Sequence, residues 1–136
     1  MKAVFRWLDI VVYLVFLAVA TALGARGATW YAGLGLAAVT VPFWFAARWQ
    51  LGASFSATAQ ARKLVTRGLY SKFRHPVYVF GSVAWLGALM VLLGWRAVII
   101  WLIVAAIELV RARREERVLA EAFGTEYEEY RKNTWL

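Results

Sequence analysis

The chain has 136 residues, of which 62% are hydrophobic and 18% are charged, and its formal net charge is +8. This length is typical of a single domain, and the charged fraction is below the value of about one quarter that is usual in soluble proteins. There are no cysteines, which excludes disulfides, thiolate metal sites and a cysteine nucleophile. These properties favour a one-domain membrane protein.

Four apolar segments follow one another along the chain, at about residues 4–23, 29–49, 76–93 and 95–110. Each is close to the roughly 20 residues that a helix needs to cross a bilayer, although the last two are at the short end. The first segment is interrupted by Asp9 and is longer than the apolar region of a usual signal peptide, and no small-residue cleavage site follows it, so we interpret it as a retained span. We therefore predict an all-α integral membrane protein with four transmembrane helices, forming one domain over residues 1–136.

The basic residues predict how these helices are oriented. Arg26 and Arg96 lie in the two short connections, whereas the other 14 of the 16 cations lie at the opposite ends of the segments. Because basic residues favour the cytoplasmic side, we expect both termini and the central loop to be cytoplasmic, in the inner membrane if the source is prokaryotic. This basic face suits the anionic headgroups of membrane lipids, and no nucleic-acid partner is expected. The 14 cations are Lys2, Arg6, Arg48, Arg62, Lys63, Arg67, Lys72, Arg74, Arg111, Arg113, Arg114, Arg117, Arg131 and Lys132.

The central loop, residues 51–75, ends in the stretch GLYSKFRHPVY (68–78), which contains the only histidine of the chain. Gly68 predicts a turn, and Pro76 is suited to the first turn of the third helix, where a missing N–H costs nothing. The remaining N–H groups of that first turn have no helical partner and are available to a ligand.

The C-terminal tail, residues 112–136, contains six of the eight acidic residues. Apolar and aromatic residues recur in it at a spacing of three to four, which predicts an amphipathic helix. Gly124 is expected to end this helix, and Thr125 with Glu128 could form a capping box for a second one.

Two patterns inside the apolar segments allow more than one interpretation. The sequence GLGLAA (33–38) fits a dinucleotide-binding fingerprint, but no strand precedes it, and small residues within a span serve close helix packing. Glu108 is a functional candidate because it is a carboxylate within a predicted span. It is also placed to pair with Arg111 three residues later.

Two longer stretches together resemble a known family. LVTRGLYSKFRHPVY (64–78) is followed, after one predicted hairpin, by RARREERVLAEAFGTEYEEYRK (111–132). In order and spacing, both resemble the isoprenylcysteine carboxyl methyltransferases, membrane enzymes related to the phospholipid methyltransferases. The resemblance covers half of the chain, and the first two apolar segments carry no motif.

The resemblance implies that S-adenosylmethionine is the methyl donor, bound at the cytoplasmic ends of the last two spans beneath the tail helix. It implies no metal. Arg111 matches the arginine that meets the substrate and is the candidate catalytic residue, with Glu108 as a second substrate-side candidate. The positions that match cofactor contacts are Arg62, Lys63, Leu64, Val65, Tyr70, His75, Pro76, Val77, Tyr78 and Glu115.

The chemistry of these residue types agrees with that role. Tyrosine faces attract a sulfonium cation, and an arginine can hold a carboxylate through two parallel hydrogen bonds. Because a carboxylate is already ionised, its methylation needs alignment and exclusion of water rather than a general base. We therefore expect a lipophilic or lipidated acceptor whose reacting group is a carboxylate, such as a prenylcysteine-like acid.

Two alternatives stay open. A phospholipid amine must lose a proton before it attacks, and Glu108 is placed to serve as the base. A small four-span exporter would instead use an intramembrane carboxylate such as Glu108 or Asp9.

Overall fold

The computed structural model describes residues 2–52 and 64–135, with side chains from residue 7 onward. This part of the chain is helical and contains no strand, as predicted. Two short 3-10 helices, Gly68–Ser71 and Gly94–Arg96, precede the third and fourth α-helices. The five α-helices are α1 (Lys2–Leu23), α2 (Ala28–Leu51), α3 (Pro76–Leu93), α4 (Ala97–Phe123) and α5 (Thr125–Lys132).

Two helical stretches among the described residues are long and apolar enough to cross a membrane. One is α2, and the other is Pro76–Phe123, which contains both α3 and α4. The apolar part of α1, Trp7–Leu23, is shorter. Four crossings therefore stay a prediction.

The fourth helix extends well beyond the apolar segment from which it was predicted. The apolar segment ends near residue 110, but α4 continues without interruption to Phe123. Most of the residues in this extension are strong helix formers, and the first residue that stops the helix is Gly124, with φ of 51°. The tail therefore begins inside α4 rather than as a separate helix.

The start of α5 also differs from the expected capping box. Gly124 is the N-cap residue, and no side chain caps the helix. Thr125 is already helical, so its hydroxyl is not at the position from which an N-cap oxygen accepts the first free N–H groups.

Helix α3 lies at the centre of the bundle and packs against α1, α2 and α4. The core between α1, α2 and α3 includes the buried side chains of Ile10, Tyr13 and Trp44. The Tyr13 hydroxyl donates a hydrogen bond to the Ala84 carbonyl oxygen at 3.1 Å, which fastens α1 to α3.

Helices α2 and α3 approach each other closely at two glycines. A Cβ atom added to Gly33 would lie 2.5 Å from the Gly87 carbonyl oxygen, and one added to Gly87 would lie 2.7 Å from the Gly33 carbonyl oxygen. The GLGLAA stretch is thus part of a helix–helix contact, where small residues allow two backbones to come close.

Candidate active site

The predicted turn at Gly68 is present and is fastened to two other elements. Gly68 has φ of 65°, and the next backbone N–H, of Leu69, donates to Gln50 Oε1 at 2.7 Å near the end of α2. The Tyr130 hydroxyl of α5 donates to the Tyr70 carbonyl oxygen, also at 2.7 Å. These two contacts fix the segment that leads into α3.

A short backbone pairing fastens the same segment to residues near the C-terminus. The Trp135 N–H donates to the Lys72 carbonyl oxygen at 2.6 Å, and the Arg74 N–H donates to the Trp135 carbonyl oxygen at 2.9 Å. The resulting parallel bridge joins Phe73 to Trp135. Residues 69–75 are therefore held between α2, α5 and the residues that follow α5.

A cavity of about 230 Å³, which we call the site cavity, lies beside this segment. Its walls combine residues from both family-like stretches with residues of α1 and α2. The predicted site residues that line it are Tyr70, His75, Val77, Tyr78, Glu108, Arg111 and Glu115. The other lining residues are Asp9, Trp44, Arg48, Leu51, Arg74, Gly81 and Trp85.

Some predicted cofactor residues are elsewhere. Pro76 is buried in the first turn of α3, as predicted, and does not line the site cavity. Leu64 and Val65 are half-buried in the segment before the 3-10 turn and also lie away from its walls. Arg62 and Lys63 lie outside the described residues.

Aromatic rings and charges meet on the α3–α4 side of the site cavity. Tyr78 is a hydrogen-bond partner of Glu115, and the Arg111 guanidinium carbon lies 5.6 Å from the centre of the Tyr78 ring. Arg111 and Glu115 are four residues apart in α4, so they project from neighbouring turns of one face. Burial, with the nearby negative charge of Glu115, raises the pKa of Tyr70 far above its usual value, so this hydroxyl keeps its proton.

His75 contacts a carboxylate that the sequence analysis did not single out. Its Nε2 atom lies 3.1 Å from Glu116 Oε1, and its Nδ1 atom lies 4.0 Å from Glu115 Oε2. Arg74 Nε is 3.3 Å from the same Glu116 oxygen. The sequence signal was present, because Glu116 directly follows Glu115, but spacing alone does not say which carboxylate meets the histidine.

An ion pair between α1 and α2 also lines the site cavity. Arg48 Nη2 lies 2.8 Å from Asp9 Oδ1, and the Arg48 side chain is only 2% exposed. The sequence analysis treated Arg48 as a cation that orients the bundle. Because charges within apolar segments require partners, the position of Asp9 in the first segment and of Arg48 at the end of the second was the available sequence signal for this pair.

Two buried donors in the wall of the site cavity, Trp44 Nε1 and Arg74 Nε, have no hydrogen-bond partner among the described residues, although Arg74 forms an ion pair with Glu116. The indole nitrogens of Trp30 and Trp101, which line neither cavity, are buried and unpartnered in the same way.

A second cavity of about 340 Å³, which we call the lateral cavity, lies between α3 and α4. Ala105, Leu109 and Ala112 give it an apolar part, while Ser82 and Arg113 contribute polar groups. The two cavities share the side chains of Arg74, His75, Tyr78 and Glu108. These shared residues form the partition between the two cavities.

Comparison with known proteins agrees with this arrangement. The sequence model of the phospholipid methyltransferase family matches residues 28–126, which include α2, α3, α4 and the start of α5. No curated protein matches the sequence.

Among solved structures, the eukaryotic intramembrane Ras methyltransferase, isoprenylcysteine carboxyl methyltransferase, has a similar fold. The TM-score is 0.68 at 24% identity, and the match covers 97% of this chain and 48% of that one. The chain thus spans about half the length of that protein. Together, the family match and the shared membrane-protein fold confirm the resemblance that the two sequence stretches indicated.

Proposed function

Since the chain belongs to the phospholipid methyltransferase family, we propose that it transfers a methyl group from S-adenosylmethionine to a lipophilic acceptor whose reacting group is a carboxylate. The observation that carries this proposal is the composition of the site cavity. Residues 30 to 45 positions apart, from the GLYSKFRHPVY stretch and from α4, line one space. The methyltransferase class follows from the family, the cofactor is what the family resemblance implies, and the acceptor is inferred from these side chains.

The side chains of the site cavity fit the proposed cofactor. When bound, S-adenosylmethionine supplies an electrophilic methyl group on a sulfonium, and methyl transfer converts this cation into a neutral thioether. Tyr70 and Tyr78 offer aromatic faces to such a cation, and Glu115 is an acceptor for ammonium or hydroxyl groups.

Arg111 is the residue that favours a carboxylate acceptor. Its side chain is exposed at the rim of the site cavity, four residues from Glu115. Because arginine only donates hydrogen bonds and stays charged, it attracts an anion and repels an ammonium. The adjoining lateral cavity, with its apolar part, suits the hydrocarbon portion of such an acceptor.

A phospholipid amine is the second candidate, and the position of Glu108 favours it. Glu108 lines both cavities and has Ser82 as a hydrogen-bond partner. A carboxylate between the two spaces is placed to accept the proton that an ammonium must lose before it attacks. Family membership favours either enzyme over the exporter.

The acceptor assay separates the two candidates by the stability of the product. Purified protein in lipid nanodiscs is given methyl-labelled S-adenosylmethionine with either a farnesylcysteine acid or phosphatidylethanolamine. Mild alkali hydrolyses a methyl ester to labelled methanol but leaves an N-methyl group intact. We expect alkali-labile product from the acid, and Glu108→Gln should keep this activity. Alkali-stable product from the amine alone would contradict the carboxylate proposal.

A further inference from the structure

The two ring nitrogens of His75 have different surroundings. Nε2 is within hydrogen-bond distance of Glu116 Oε1, at 3.1 Å. Nδ1 is 4.0 Å from Glu115 Oε2, which is too far for a hydrogen bond. The imidazole is therefore in hydrogen-bond contact with only one of the two adjacent carboxylates.

The contact with Glu116 determines where the proton resides. An ionised carboxylate only accepts hydrogen bonds, so the 3.1 Å contact requires a proton on Nε2. In neutral histidine the other nitrogen then carries a lone pair and accepts. A carboxylate bonded to one ring nitrogen fixes tautomer and ring orientation in the same way in many functional sites.

Glu116 is itself held in place. Arg74 Nε lies 3.3 Å from Glu116 Oε1, the same oxygen that faces His75. The side chains of Arg74 and Glu116 are 18% and 21% exposed, respectively. Glu116 lines the lateral cavity, whereas Glu115 lines the site cavity. The two consecutive carboxylates therefore face different cavities.

We propose that Glu116 is a positioning residue that holds neutral His75 with its proton on Nε2. The Nδ1 lone pair is then left as an acceptor beside Glu115, on the side of the site cavity. Nδ1 and the Glu115 carboxylate form a pair of acceptors 4.0 Å apart. Such a pair suits a donor group, an ammonium above all, of the bound ligand. Identifying this ligand as S-adenosylmethionine rests on the proposed function, but the assignment of the tautomer does not.

Nitrogen NMR tests the tautomer directly, because His75 is the only histidine of the chain. Protein labelled with ¹⁵N-histidine is purified through a histidine-free tag and measured in detergent at pH ~8.5, well above the usual histidine pKa of about 6.5. We expect one dominant species with Nε2 protonated and Nδ1 unprotonated. A dominant Nδ1–H tautomer, or an imidazolium with both nitrogens protonated, would overturn the proposal.

Variants then assign the effect to Glu116. Glu116→Gln removes the charge but keeps the shape, so the spectrum should change to a mixture of both tautomers. Glu121→Gln is the matched control, since Glu121 is an exposed residue of the same helix, and it should leave the spectrum unchanged. An unaltered spectrum in Glu116→Gln would reject the role of Glu116, and the wild-type spectrum decides the assignment even if that variant does not fold.

Cofactor affinity distinguishes failure of this proposal from failure of the proposed function. We expect Glu116→Gln to weaken S-adenosylmethionine binding about tenfold through loss of the oriented acceptor. An Nε2–H spectrum in a protein that does not bind S-adenosylmethionine would contradict the proposed function alone. Normal binding together with an Nδ1–H spectrum would contradict the positioning role alone.

Discussion

Arg111 combines a fixed charge with an exposed position beside Tyr78 at the rim of the site cavity. Replacement by lysine keeps the charge but removes the planar pair of donors that matches a carboxylate. Hydrogen bonds to charged groups contribute about 1.5–3 kcal/mol, so Arg111→Lys should lower turnover about 10- to 150-fold. S-adenosylmethionine affinity should be nearly unchanged, as measured by calorimetry. Arg114→Lys, an exposed position that lines neither cavity, is the control, and full turnover in Arg111→Lys would contradict the assignment.

Tyr130 contributes a hydroxyl that fastens α5 to the segment before α3. Tyr130→Phe removes the 2.7 Å hydrogen bond to the Tyr70 carbonyl oxygen without removing the ring. We expect a loss of about 1 kcal/mol in the free energy of unfolding and a corresponding fall in Tm of a few degrees. Tyr31→Phe changes an exposed hydroxyl and should have no effect in the same thermal scan. Equal Tm values for both variants would show that the bond contributes nothing.

The same tyrosine predicts how stability depends on alkaline pH. Burial raises the pKa of both Tyr127 and Tyr130 to about 12, compared with about 10 for a free tyrosine. Because these folded-state pKa values are raised, their contribution to stability is complete below about pH 10 and is lost as the pH rises toward 12. Thermal unfolding should therefore show a decline over this range, and the decline should be less steep in Tyr130→Phe. Identical slopes would contradict the burial of the Tyr130 hydroxyl.

At the scale of elements, the contact of α2 with α3 depends on Gly33 and Gly87. A Cβ atom at Gly33 would lie 2.5 Å from the Gly87 carbonyl oxygen. Because this neighbour is a backbone atom, relieving the clash requires a helix to move. Overpacking of this kind costs about 1–3 kcal/mol, so Gly33→Ala should lower the Tm by several degrees. Gly35→Ala, two residues away in the same stretch, meets nothing within 4 Å and should be neutral or slightly stabilising. A stable Gly33→Ala protein would contradict the close approach.

The elements that were predicted correctly are those with local signals. Pro76 and Gly124 mark a helix start and a helix end through their own backbone preferences, and the Gly68 turn is specified in the same way. The ion pair of Asp9 with Arg48 joins residues 39 positions apart, and no local pattern specifies which charges meet across a bundle. For the same reason, the family resemblance indicated Glu115, but the sequence did not indicate the contact of His75 with Glu116.

At the scale of the whole molecule, the site cavity lies where the corresponding ends of four helices meet. Its lining residues come from the first half of α1, the end of α2, the start of α3 and the latter part of α4. These are the ends beside which the sequence places 14 of its 16 cations. We therefore predict that reporter fusions at Met1 and Leu136 report cytoplasm and that fusions near Arg26 and Gly94 report the opposite side. A non-cytoplasmic signal at both termini would contradict the orientation, since the proposed cofactor is cytosolic.

The most direct test of the central claim is calorimetric titration of S-adenosylmethionine into the purified wild-type protein and single-site variants. We predict saturable binding in the wild-type protein. The affinity should fall about tenfold or more in Glu115→Ala, Tyr78→Ala and His75→Ala, because each variant loses a side chain that lines the site cavity. Glu108→Gln should keep its affinity, because the cofactor is proposed to rest on Glu115 and the two tyrosines. No binding to the folded wild-type protein, or affinity lost with Glu108→Gln and kept with Glu115→Ala, would contradict the account.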